Sequence, residues 1–302
     1  MRTAILNGFG RSLGDSLIGL QALRVALDEG AVAPAPTLFR LAGLRPILAD
    51  LYAAADFARV DRLADDEATP DRPFAQAGAF DRVIDLRDFA FDPAFAGVSM
   101  VDYFLARLGV APATIASKRK RNAWLTFRMP PRANTPYPPY ALLCPRASMP
   151  LRNMPDDVHA AIVAWLRRET GLAVATQGPA LPGTLAVPSA MKLTELCGWV
   201  ANAAWLIATD TGMAHVADAY SVPTLALFTT HDPALRVRDY PHCMAVRRPV
   251  PGLPPAIEFA RDAADLAAAR AAWYGRDGLA WLDRALRAAH GRSFGVADVR
   301  TG

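Results

Sequence analysis

Of its 302 residues the chain has only three cysteines, Cys144, Cys197 and Cys243. None has the CxxC spacing of a zinc or redox motif and two lie inside apolar runs. They read as buried free thiols in a reducing compartment, with no metal site expected. No stretch of ~18 uninterrupted apolar residues exists for a membrane span. The run Thr3 to Leu6 reaches a glycine-rich turn too soon to hold the apolar core of a secretion signal, so a cytoplasmic protein is expected. A surplus of one charge is missing too. The net charge is +4, acidic residues are interspersed among the basic ones, and nucleic acid is not indicated as a partner. No Gly-Lys-Ser/Thr follows the first glycine loop, which excludes a Walker A phosphate loop.

What the chain does have is the composition of a folded, soluble protein, 52% apolar and 21% charged, at a length that exceeds the usual single core. Two domains are expected. Residues 3 to 6 form a short apolar run, followed by the loop Asn7-Gly8-Phe9-Gly10-Arg11-Ser12-Leu13-Gly14-Asp15-Ser16 and then Leu17, Leu20, Leu23 and Leu27 at helical spacing. That is strand, glycine loop, helix. Runs at Thr37 to Leu41, Ala58 to Leu63 and Arg82 to Leu86 alternate with helix-compatible segments, the βαβ rhythm of a parallel sheet, and residues 99 to 109 close this half as a helix.

Between Ala111 and Tyr140 the character changes. A basic run, Lys118 to Arg121, precedes a stretch containing Pro130, Pro131, Pro136, Pro138 and Pro139, which reads as a connection between domains. A second cycle then begins: Tyr140 to Cys144 as strand, 156 to 168 as helix, Leu172 to Thr176 and Thr184 to Val187 as strands. Leu193, Leu196, Val200 and Ala203 mark another helix, which runs into the strand Trp205 to Thr209. Asp210 to His215 open a further helix, Thr224 to Phe228 is a strand, and Ala263 to Ala289 is helical in composition.

In open α/β sheets ligands collect beyond the carboxyl ends of the strands, where helix N-termini present N–H groups. Residues 7 to 16 and 210 to 215 fit that place. In the second loop Asp210 can cap the helix, Gly212 can let backbone amides approach an oxyanion, and His215 lies one turn further on the same side. Together these make a cradle suited to a departing nucleoside diphosphate. The blander readings are a plain N-cap for Asp210 and an ordinary structural hydrogen bond for His215. Asp15 at the start of the first helix is either a cap or a general base that takes the proton of an acceptor hydroxyl. The run 118 to 121 is a solvated linker or, on the sharper reading, a peripheral contact with an anionic glycolipid or membrane surface.

Gly14-Asp15-Ser16-Leu17 after the first strand, and Asp210-Thr211-Gly212-Met213-Ala214-His215-Val216-Ala217 followed by Val222-Pro223-Thr224-Leu225-Ala226-Leu227-Phe228, resemble the motifs of the family 9 glycosyltransferases, typified by the ADP-heptose:lipopolysaccharide heptosyltransferases. The resemblance spans roughly residues 2 to 250. It implies an α/β GT-B fold, two Rossmann-like domains facing a central cleft: an acceptor domain over 1–135 and a nucleotide-sugar-binding domain over 136–302, its last helix packing back on the first. It implies an inverting, metal-independent transfer of heptose or a related sugar from a nucleotide-diphosphate donor such as ADP-heptose, with no separate cofactor. It further implies a glycan, glycolipid or protein acceptor, as in lipopolysaccharide biosynthesis; on the sharper reading of the basic run, the expected cytoplasmic protein is peripheral at the inner membrane.

Carried over by position, Asp15 is the base, with Gly14 and Ser16 beside it in the acceptor loop. Asp210, Thr211, Gly212, Met213 and His215 serve the donor. Arg152 sits where the family commonly has a lysine two residues before a Trp-Pro pair, so it is placed to meet phosphate. This chain departs from the family in three places: Met154 replaces the tryptophan, Thr229 replaces the glycine expected after Phe228, and no ribose-holding glutamate follows Gln177-Gly178. Variable loops at 64 to 80 and 87 to 99 would shape the acceptor surface. The competing readings are a non-catalytic GT-B-like binding protein that has lost donor contacts and an NAD(P)-dependent oxidoreductase. The latter rests on Gly8-x-Gly10-x-x-x-Gly14 alone and lacks an acid near Phe39-Arg40-Leu41 to hold a ribose.

Overall fold

Apolar strand runs alternating with amphipathic helices fold here into two all-parallel sheets, as the βαβ rhythm requires. The computed structural model describes residues 1–128, 138–188 and 191–294. Pro130, Pro131 and Pro136 of the expected connection lie outside the described residues. Contacts divide the chain into two units, Met1–Pro130 with Met191–Glu195, and Pro131–Ala190 with Leu196–Gly302.

The first unit runs β1 (Thr3–Leu6), α1 (Leu13–Asp28), β2 (Thr37–Arg40), α2 (Pro46–Ala54), β3 (Arg59–Arg62), β4 (Arg82–Asp85), α3 (Pro93–Ala96), α4 (Met100–Arg107) and α5 (Trp124–Arg128). Its sheet order is β3-β2-β1-β4, with Ile5 opposite both Leu38 and Ile84. The apolar β1 is buried along its whole length, whereas the charged β3 is exposed throughout and closes one edge. Ala4, Leu6, Phe39, Leu63 and Phe74 form one core cluster. On the helix side Gly19 leaves room for Phe9: a Cβ at that position would lie 2.0 Å from the Phe9 ring. Phe9 in turn meets Phe104 of α4 edge to face at 5.2 Å.

The basic run at 118 to 121 is not a solvated linker. Lys120 is buried and its Nζ lies 2.6 Å from Asp102 of α4; Arg119 pairs with Glu29, and its carbonyl accepts a 2.6 Å bond from Gln21 of α1. Sequence alone shows the charges without the partners that neutralise them, and the membrane-contact reading loses its support here. No described helix is long and apolar enough to cross a membrane.

The second unit runs β5 (Tyr140–Cys144), α6 (Asp156–Glu169), β6 (Ala173–Thr176), β7 (Leu185–Ala186), α7 (Leu193–Ala201, its first three residues grouped with the first unit), β8 (Trp205–Thr209), α8 (Gly212–Ala219), β9 (Thr224–Phe228), β10 (Cys243–Arg247), α9 (Ala263–Ala271) and α10 (Ala280–Phe294). The sheet order is β10-β9-β8-β5-β6-β7. The central strands β5, β8 and β9 are buried at every residue, which is why they read as continuous apolar runs. Val158, Ile162, Trp165 and Leu166 of α6 pack with Trp205, Trp273 and, from α10, Leu282, Leu286 and Ala289. The last helix, expected against the first domain, therefore has its apolar stripe in the second unit's own core. The helical segment expected over 263 to 289 is two helices, separated by a stretch with Gly275 and Gly278 at positive φ.

Candidate functional site

In each sheet the strand order reverses once, between β1 and β4 and between β5 and β8. The loops following those strands are where a ligand crevice opens in such folds.

In the first unit Ser12 caps α1, its Oγ accepting from the Asp15 N–H at 3.1 Å. Asp15 is thus not the cap. It stands in the first turn, half-buried, where the helix dipole favours a carboxylate. Gly10 has φ +81°, and a Cβ there would come 3.1 Å from Asp15 Oδ2, so glycine lets the loop backbone close on the carboxylate. Gly14 is buried. Ser16 is fully buried and accepts a 3.1 Å bond from the Tyr52 hydroxyl, so its side chain serves the interior and not an acceptor loop. Arg40 secures the loop from below. It donates to the carbonyls of Asn7 (3.1 Å) and Gly10 (2.6 Å) and to Tyr52 Oη (2.6 Å), and it stacks on the Tyr52 ring at 4.3 Å. Above Arg40 a cleft of ≈ 410 Å³ opens beyond β1 and β2, lined among others by Asn7, Arg11, Arg45 and Asp65.

In the second unit the 3-10 turn Pro150–Arg152 follows β5 and is fastened on three sides. Thr209 at the end of β8 donates to the Arg152 carbonyl, Thr229 after β9 donates to the Leu151 carbonyl at 3.1 Å, and Leu151 is buried with Ala269 and Ala272. Thr229, a departure from the family's glycine, has this anchoring role. The fixed turn carries Arg152 to Asp210, with Nη1 3.3 Å from Asp210 Oδ2.

Asp210 does not cap α8. The N-cap is Thr211, which makes no side-chain cap bond, and the Asp210 carboxylate turns instead to Arg152 and to His231 Nδ1 at 2.8 Å. His231 Nε2 lies 3.0 Å from Glu258 Oε1, an ion-pair contact rather than an aligned hydrogen bond, and Glu258 Oε2 reaches Arg152 Nη2 at 3.5 Å. Arg152, Asp210, His231 and Glu258 form a closed ring of alternating charge. Burial alone would raise the Asp210 carboxyl, but the His231 bond and the Arg152 charge outweigh it and hold the group well below the usual range. Burial would lower His231; its two carboxylate partners prevail and raise it. Burial would raise Glu258, and His231 and Arg152 lower it. The ring holds two carboxylates, a guanidinium and an imidazole whose charged form both carboxylates favour.

His215 stands apart from this ring. It is buried in α8, its Nδ1 2.8 Å from the Tyr240 hydroxyl. Burial pushes its pKa down to about 4, so the imidazole is neutral near pH 7. Met213 is buried, and Thr211 and Gly212, partly exposed, form the entry to α8. The site residues that sequence reasoning missed are His231 and Glu258. The one available signal was Thr229-Thr230-His231, standing where the family pattern expects a glycine. Among the described residues no group of three or more His, Cys, Asp or Glu side chains is placed to hold a metal ion.

Two units, each a parallel sheet whose strand order reverses once, are the architecture of a GT-B fold. Residues 125–241 match the model of glycosyltransferase family 9 (heptosyltransferase). Among solved structures, E. coli ADP-heptose lps heptosyltransferase II is similar over 96% of this chain and 98% of its own, at 14% identity and a TM-score of 0.61. E. coli heptosyltransferase WaaC with ADP is 16% identical over 82% of this chain and 94% of its own, TM-score 0.53. The iron-containing dodecameric glycosyltransferase TibC of enterotoxigenic E. coli is 12% identical over 96% of this chain and 76% of its own, TM-score 0.64. No curated protein sequence matches the chain at a significant level.

Proposed function

We propose that this glycosyltransferase moves a sugar, heptose or a relative of it, from a nucleotide-diphosphate donor to an anionic glycan or glycolipid, with inversion at the anomeric carbon. The observation that carries the donor half is Arg152, held at the reversal point of the second sheet beside the start of α8. A guanidinium there can bind the departing diphosphate in a two-pronged way, and the first-turn amides of α8, which no Thr211 side-chain bond covers, add their dipole. These groups supply positive charge where negative charge develops, so the reaction as read needs no metal to help the leaving group. Structures similar in fold were solved with ADP and with an ADP-heptose analogue, which supports a nucleotide-diphosphate donor.

The acceptor half rests on the first unit. Asp15, held in the first turn of α1, takes the proton of the acceptor hydroxyl as it attacks the anomeric carbon. The cleft beyond β1 and β2 has room for one or two sugar residues. Arg11 and Arg45 in its wall favour an acceptor bearing carboxylates or phosphates, as lipopolysaccharide precursors do. The test is transfer from radiolabelled ADP-, UDP- and GDP-sugars to acidic and neutral glycan acceptors, with and without EDTA. Label transferred to acidic acceptors, undiminished by EDTA, supports the reading. No transfer from any donor would sink it.

A further inference from the structure

The ring of charge in the second unit has more anions than a diphosphate site can easily tolerate. Asp210 and Glu258 both touch Arg152 and both touch His231. Their separations are unequal. The carboxylates sit 2.8 and 3.0 Å from the imidazole nitrogens and 3.3 and 3.5 Å from the guanidinium. The carboxylates thus lean on His231, and Arg152 is the loosely held member. His231 is 1% exposed, too deep to reach a ligand, whereas the Arg152 side chain is 14% exposed at the lip.

We infer that His231 is a positioning residue that, as an imidazolium clamped between Asp210 and Glu258, satisfies both carboxylates and so releases Arg152 for the donor's diphosphate. This rests on the donor reading given above and goes beyond it, because nothing in the family-like motifs assigns a role to residue 231. With His231 charged, two cations face two anions and an arriving diphosphate meets a neutral ring. With His231 neutral, both carboxylates turn to Arg152, the ring carries one net negative charge, and the diphosphate is repelled. The charged and titratable groups around His231 are Asp210 at the end of β8, Glu258 ahead of α9, Arg152 on the 3-10 turn after β5, Arg236 on the segment after β9, and His215 on α8 beside Asp210. Of these the two carboxylates hold His231 in its charged form against burial and Arg236, which act the other way. The charge is present at low pH and lost as pH rises through the raised pKa.

Calorimetric titration with ADP-ribose, UDP-glucose and GDP-mannose tests this, since diphosphate diesters lack the second phosphate ionisation near pH 6. Wild-type affinity for the bound nucleotide should fall about tenfold as pH is raised from about 6 to about 9. His231→Gln should bind about tenfold more weakly at pH 6, with a flat profile. Adding Glu258→Gln to it should restore at least about threefold, because one carboxylate then needs only Arg152. If His231→Gln does not fold, Glu258→Gln alone decides: it should bind more tightly than wild type at pH 9. A wild-type profile retained by His231→Gln, or no gain from Glu258→Gln, overturns the inference and leaves the donor reading intact. Failure of wild type to bind any of the three overturns the donor reading and this inference with it.

Discussion

Arg40 and Arg152 are both largely buried arginines at strand-end loops, one in each unit, yet they are held by opposite kinds of partner. Arg40 gives its hydrogen bonds to two backbone carbonyls and a tyrosine hydroxyl and lies flat on that tyrosine's ring. Arg152 donates once to a neutral group, the Ser148 hydroxyl at 3.3 Å, and is otherwise held by two carboxylates, at 3.3 and 3.5 Å, that have a second cation to turn to. A guanidinium bound to neutral groups of its own fold has nothing to exchange and acts as a rivet for the loop under Asp15. One that shares carboxylates can trade them for phosphate. The first loop is therefore built to hold still and the second to exchange partners.

The largest effect should come from the group that the Arg40 rivet supports. Asp15→Asn should lower the transfer rate by about 10²–10⁴-fold in initial-rate assays while leaving nucleotide affinity within about twofold of wild type. Equal loss of binding would mean that the two loops do not divide the work. Next, Arg40→Met should cost about 3 kcal/mol in urea unfolding, since it strands two carbonyls and takes from the buried Tyr52 hydroxyl the bond it accepts. Arg152→Met should cost well under that, because Asp210 and Glu258 keep His231. Reversed magnitudes would undo the contrast between rivet and exchanger.

A comparable effect tests the burial of His215. Its folded pKa of about 4 lies below the ordinary ~6.5, so the stability it contributes is present above about pH 6.5 and lost as pH falls toward 4. The full loss is about 3 kcal/mol, and His215→Gln should flatten that part of the stability profile. If the slope between pH 6.5 and 4 is unchanged in the variant, the imidazole is not buried as described. Smallest, Ser12→Ala should destabilise by about 1 kcal/mol through the lost cap on α1 and slow transfer only modestly.

Much of this was legible in the sequence because its signals are local. The central strands β5, β8 and β9 are apolar on both faces and read as unbroken runs, and Leu17, Leu20 and Leu23 of α1 recur at helical spacing. The strand β10, Cys-Met-Ala-Val-Arg, was not legible: it is a half-buried edge strand, without the unbroken burial of its neighbours. Nor was the charge ring. His231 lies 21 residues beyond Asp210 and meets it only because β9 is laid beside β8. Glu258 arrives from a segment with no strand or helix of its own. Asp210 was misassigned as a cap because Asp-Thr-Gly before a helix is what a cap looks like, until a buried arginine and histidine offer stronger partners. The basic run failed for the same reason in reverse, since Asp102 and Glu29 stand far from it in the chain.

The central claim, that the second unit holds the donor's diphosphate on Arg152 and the start of α8, is tested most directly by a crystal structure of the protein soaked with the nucleotide sugar that binds it most tightly. The account predicts phosphate oxygens within hydrogen-bond distance of the Arg152 guanidinium and of backbone N–H groups at residues 211 to 213. A diphosphate bound elsewhere, with Arg152 still paired to Asp210 and Glu258, would contradict it.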